Sequence, residues 1–156
     1  MKRLLLLACA CLFSINSFAS DLTVSDQYIR ATPPHAKNSA SFLTITNHTN
    51  TNIKLVGASS DIAKRVELHN HIKEDGMMKM RQVEAVKIAA NSSTSLQPGG
   101  YHIMFLGLNN NLTEGQSVKV TLYFDNGNEL NIDAPVKKIN SNKKQGSTEM
   151  SHQAHH

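Results

Sequence analysis

Between Asp21 and about Val136 the chain is a series of short runs in which apolar and polar side chains alternate, each closed by turn-forming residues. Alternation suits an extended strand with one buried face, whereas a surface helix needs an apolar stripe recurring every three to four residues. No window sustains such a stripe, so strands are predicted throughout. The runs are Leu22–Arg30, Ser39–Asn47, Ile53–Ser59, Arg65–Asn70, Met77–Val83, Ser93–Leu96, Tyr101–Leu108, Ser117–Tyr123 and Glu129–Pro135. Ser41-Phe42-Leu43-Thr44-Ile45-Thr46 and Val118-Lys119-Val120-Thr121-Leu122 show the pattern most plainly. Asn47-His48-Thr49-Asn50, Glu74-Asp75-Gly76, Pro98-Gly99-Gly100 and Asp125-Asn126-Gly127-Asn128 carry turn chemistry. Short strands at near-regular spacing predict an all-β fold, an antiparallel Greek-key sandwich or barrel.

The two ends read differently from the middle. Residues 1–19 have the form of a secretory signal peptide: Lys2 and Arg3, an apolar stretch from Leu4 to Phe13, then Ser17-Phe18-Ala19 as a small-x-small cleavage site. That stretch is too short to span a bilayer as a helix. Cys9 and Cys11 both lie within it. A lipid anchor would need one of them in a lipobox. Cys9 follows Leu6-Leu7-Ala8 but stands early in the apolar stretch, and the residues before Cys11 match poorly, so secretion to the periplasm without an anchor is the preferred reading. The domain, residues 20–138, then has no thiol and no disulfide, and burial alone must hold it.

Loss of the leader takes 16 Lys+Arg against 12 Asp+Glu to 14 against 12, a net charge of about +2. With no Trp and no basic cluster interleaved with aromatics, nucleic acid is not an expected partner. Residues 139–156 are polar, with Ile139 as the one branched aliphatic, and cannot bury themselves. They read as a flexible tail. Met150, His152, His155 and His156 would form an auxiliary copper-capture site there, open to Cu(II) as well as Cu(I).

Within the domain, ten residues separate His69 from Met80, twenty-one separate Met80 from His102, and one separates His102 from Met104. Two imidazoles and two thioethers form a borderline-to-soft donor set that favours Cu(I) over Zn, Ca, Mg or Mn. In a strand His102 and Met104 project side by side while Ile103 and Phe105 face the core. His69 likewise opposes Leu68. His71 would share the face of His69 if the strand reached it, which makes it a substitute or second-rank ligand. Met78 shares a face with Met80 and is a further secondary candidate. At least one of Met77 and Met78 is expected in the core, and His35 and His48 are expected to be solvated.

These residues carry a family resemblance. Ile29-Arg30-Ala31-Thr32-Pro33-Pro34, the segment Ser39 to Asn47, Val66-Glu67-Leu68-His69, Met78-Lys79-Met80-Arg81 and Leu96-Gln97-Pro98-Gly99-Gly100-Tyr101-His102-Ile103-Met104 resemble the periplasmic copper chaperones called PCuAC. The likeness spans nearly all of residues 21–136. It implies a cupredoxin-like β-sandwich with His69, Met80, His102 and Met104 as ligands of Cu(I). It also implies delivery to the binuclear copper centre of cytochrome c oxidase, through subunit II or beside a Sco-type protein. Some members place Met directly after the first His, where this chain has Asn70.

Other classes fit less well. Blue-copper electron transfer requires a cysteine ligand, which the domain lacks. A zinc or iron hydrolase could recruit His69, His71 and Glu67, but would leave the methionines without a role. No serine-nucleophile motif, phosphate loop or carboxylate pair appears. A monomeric, non-enzymatic copper carrier is the expectation, with periplasmic storage or detoxification as the alternative.

Overall fold

The structure, a computed structural model, describes residues 21–139; the leader, with Cys9 and Cys11, and the tail donors Met150, His152, His155 and His156 lie outside the described residues. The described residues form ten strands and no helix: β1 (Leu22–Arg30), β2 (Asn38–Asn47), β3 (Ile53–Ser59), β4 (Ala63–Glu74), β5 (Met77–Gln82), β6 (Val86–Ile88), β7 (Ser92–Leu96), β8 (His102–Leu108), β9 (Ser117–Phe124) and β10 (Glu129–Lys137). Their lateral order is β5-β4-β8-β2-β1-β10-β9-β3-β6, with β7 added on β2. Strand β2 changes partner along its length. Asn38–Ser41 pair with β8, whereas Leu43–Asn47 pair with β7. Thr94 Oγ1 of β7 donates to the Lys87 carbonyl of β6 at 3.1 Å, so the far end of the strand order returns towards β2. Leu68, Ile103 and Phe105 thereby share one core with Leu55, Val120, Leu122 and Val136 from the other layer. This is the cupredoxin-like sandwich that the pattern and the resemblance predict.

Several features depart from expectation. Ile29 and Arg30 of β1 pair in parallel with Val136 and Lys137 of β10. A parallel pair needs a long connection between its strands, and here the rest of the domain supplies it. Strand β6, only three residues long, lies between the runs that alternation predicts. Strand β4 runs to Glu74 rather than stopping at Asn70 because Asp75 and Gly76 both adopt left-handed backbone (φ 53° and 79°) and close a two-residue hairpin with Glu74 opposite Met77. The expectation of a core methionine at the tip of that hairpin is overturned. Met77 is 62% exposed and Met78 60%, because β5 is an edge strand whose backbone pairs with β4 alone.

Candidate metal centre

Alternation on the neighbouring strands β4, β8 and β5 places the donor side chains. On β4, Leu68 enters the core while Glu67, His69 and His71 take the opposite face. On β8, Ile103 and Phe105 are fully buried in the core, and His102 and Met104 take the other side. Register then joins the strands: His69 stands opposite His102, Glu67 opposite Met104, and His71 opposite Met80. Across β2, Ala40 stands opposite Met104, and its short side chain leaves room there. The result is a hollow of about 440 Å³, lined by His71, Met80, His102 and Met104 together with Ala40, Phe42, Pro98 and Gly99 and rimmed by Arg30 and Ile139. Four donors predicted from spacing thus fall on three adjacent strands, but only three of them line the hollow. His69 stands beside it, its ring centre 5.8 Å from that of His102, and His71 takes the lining position instead. Met80 is 42% exposed at the mouth. Met78, on the same face of β5, lies outside the lining.

The hydrogen bonds fix which nitrogens are free. His102 is only 2% exposed, rather than near the surface as a ligand on a strand end would be. Its Nδ1 lies 2.9 Å from the Gly100 carbonyl, which can only accept, so Nδ1 carries the proton and Nε2 keeps its lone pair. His69 Nε2 lies 2.8 Å from Glu67 Oε2, which leaves the lone pair on Nδ1. Glu67 is held in turn by Arg65 at 3.1 Å. Among the described residues three imidazole nitrogens are buried with no hydrogen-bond partner: His69 Nδ1, His71 Nδ1 and His102 Nε2. Leaving one such group unpaired costs roughly 1–3 kcal/mol. A cluster of three is the state of ligands set for a metal. Carboxylate–histidine and carbonyl–histidine contacts of this kind orient metal-binding imidazoles.

Burial, foremost, holds the His102 imidazole below its ordinary range; the Gly100 carbonyl bond opposes this, and the neighbouring His71 and His69 add to it. His102 is therefore neutral near pH 7, the form that can coordinate. The ring of Phe42 lies 6.2 Å from that of His102 and 5.2 Å from Tyr28, an aromatic wall on the β2 side. Among the described residues no three His, Cys, Asp or Glu side chains are already drawn together to hold an ion, and no carboxylate lines the hollow. A metal here would have to take thioethers as well as imidazoles, a soft set that excludes hard cations.

Glu67 and Gly100 were not singled out as orienting groups in the sequence. Their signal was present, since Glu67 lies two residues before His69 on one strand face and Gly100 ends the Pro-Gly-Gly turn. His48 is exposed, as expected, with Nε2 3.0 Å from Thr23 Oγ1, and His35 is exposed.

Comparison with known proteins agrees with this architecture. A family model described as "Putative lipoprotein LpqE-like" matches residues 22–136. "Putative lipoprotein Lxx21020" of Leifsonia xyli subsp. xyli is 38% identical over 84 residues, which are 53% of this chain and 51% of that protein. The chain spans 51% and 61% of the lengths of the two curated relatives it matches. The Cu(I)-bound solution structure of DR1885 from Deinococcus radiodurans is 35% identical, covers 78% of this chain and 83% of its own, and superposes with a TM-score of 0.61. The copper-bound PCuAC domain of PmoF2 has the same fold, with a TM-score of 0.65 at 19% identity over 76% of this chain and 94% of its own.

Proposed function

Because the chain belongs to the LpqE-like family, we propose that its domain is a copper-binding module of the cell envelope, which holds Cu(I) through His69, Met80, His102 and Met104 and passes it on. The observation that carries this reading is the group of three buried imidazole nitrogens without partners, set beside the two thioethers of a hollow that no carboxylate lines. The Cu(I)-bound relative from Deinococcus radiodurans supports the choice of metal and oxidation state. Thioethers bind Cu(I) without competing for protons and without the tight bond of a thiolate, so the ion can leave. The protein is a carrier and not an enzyme. Its acceptor is a copper-receiving protein of cytochrome c oxidase assembly, either subunit II or a Sco-type protein.

The lipoprotein names of its relatives support an envelope or secreted location, which we take to be the periplasm. The tail donors Met150, His152, His155 and His156 form a weaker capture site, tethered close enough to act at millimolar effective concentration. Ending the chain after Lys138 should abolish that second event and any Cu(II) uptake while sparing the first Cu(I).

The deciding experiment is anaerobic Cu(I) titration with X-ray absorption, followed by mixing the loaded protein with the apo copper domain of oxidase subunit II. One ion in a mixed sulfur and nitrogen shell that moves to the acceptor is the expected result. A shell of nitrogen and oxygen alone would refute the site. Tight binding with no transfer to subunit II or to a Sco-type protein would favour storage or detoxification.

A further inference from the structure

The hollow contains one imidazole more than the four-donor set requires. His71 reaches it because the Asp75-Gly76 turn prolongs β4, and register sets it directly opposite Met80. It lines the hollow with Met80, His102 and Met104, whereas His69 does not. Its ring centre lies 5.1 Å from that of His102, against 5.8 Å for His69. Two imidazoles on one metal, with metal–nitrogen bonds of about 2.0 Å, have ring centres about 5 Å apart at a tetrahedral angle and nearer 6 Å as the angle opens. Both pairs fall in that span. His71 Nδ1 is buried without a partner, as is His102 Nε2. A satisfied core histidine would have found a carbonyl or hydroxyl for that nitrogen; His71 has none for it.

We infer that His71 is a direct copper donor, so that the site offers His69, His71, His102, Met80 and Met104. This inference rests on the copper-binding reading above and deepens it. Five donors are more than a Cu(I) ion takes at one time. His69 and His71 stand two residues apart on the same strand face, both beside His102. The ion can be held with either one, and one imidazole can detach while the rest keep hold. That arrangement favours a protein that gives its metal away over one that stores it.

The test uses the whole exported chain. Imidazole tautomers are followed by long-range proton–nitrogen NMR as one equivalent of Cu(I) is added anaerobically, and affinity is measured by competition with bicinchoninate. The His71 Nδ1 resonance should move together with those of His69 and His102. His71→Gln and His69→Gln should each weaken binding only a few-fold, roughly, because either imidazole can serve, whereas the double variant should lose more than about tenfold, since loss of an orienting partner alone has an effect of that size. His71→Met in the His69→Gln background, which returns a soft donor, should keep most of the affinity. An unmoved His71 resonance beside shifted His69 and His102, with the double variant binding no more weakly than His69→Gln, would overturn the assignment and leave the copper reading standing. Failure of the wild-type protein to bind Cu(I) would overturn both. Should the His71 variants not fold, the wild-type spectrum alone decides.

Discussion

Met104 and Ile103 are adjacent on β8 yet should answer mutation in opposite ways. Ile103 is fully buried in the core, while Met104 is half-buried on the wall of the hollow. Met104→Leu nearly conserves volume, and in the metal-free protein it should cost under about 1.5 kcal/mol. Ile103→Ala leaves a cavity among close-packed side chains and should cost about 2–5 kcal/mol. In a domain of this size each kcal/mol moves the midpoint by about 4 °C. Copper acts on the two variants unequally. At a free Cu(I) concentration of about 100 times the wild-type Kd, binding adds about 2.7 kcal/mol to stability. If losing the thioether weakens binding about a hundredfold, the same copper adds only about 0.4 kcal/mol to Met104→Leu. Ile103→Ala should retain most of the copper increment, because its side chain does not face the hollow. The assay is anaerobic thermal and urea unfolding of the three proteins, with and without chelator-buffered Cu(I). Equal losses of apo stability in both variants, or an undiminished copper increment in Met104→Leu, would show that Met104 is a packing residue and that the donor set is wrong.

Glu67→Gln should lower Cu(I) affinity by about 10–100-fold with little change in apo stability, since the carboxylate fixes the His69 tautomer that leaves Nδ1 free; competition titration and imidazole NMR of the variant check this. Asn47, fully buried, donates to the carbonyls of Thr51 and Ala89 at 2.8 and 3.2 Å and accepts from the backbone N–H and hydroxyl of Thr49 at 3.0 and 2.7 Å. Asn47→Ala strands several of these groups and should cost at least about 2 kcal/mol in urea unfolding. It should leave copper affinity unchanged, because Asn47 lies at the end of β2 away from the hollow. Apo stability should also fall as pH drops below about 6.5. Burial lowers the folded pKa of His102 below that ordinary value, so the unfolded chain takes up a proton first. The contribution is complete above the unfolded value and declines until the pH reaches the depressed folded value. Unfolding scans of the wild type and of His102→Gln across pH 5–8 should differ in slope, and parallel slopes would refute this.

Alternation alone determined which face each side chain takes. Leu68, Ile103 and Phe105 read as core, and His69, His102 and Met104 as their opposites, because in a strand the side-chain direction repeats every two residues whatever the partner. Composition determined that no thiolate could take part in the domain, and the donor types pointed to a soft metal. The turn residues carry register as well. Asp75-Gly76 is strong hairpin chemistry, and taken at full value it extends β4 through His71 and sets Met80 opposite it.

Tertiary structure decided the rest, because period-2 alternation says nothing of strand order or register between strands far apart in the chain. Only the pairing of β4 with β8 sets His69 opposite His102, and only the pairing of β8 with β2 brings Ala40 across from Met104 to leave a hollow. The same long-range pairing buries His102 and leaves Met77 and Met78 in solvent, although both methionines are as apolar as any core residue. Three-residue β6 is too short for a periodic signal and exists because β3 offers it a free edge. A face is a local property of a strand, whereas a site is a property of which strands become neighbours, and that is set by the burial of the core they share.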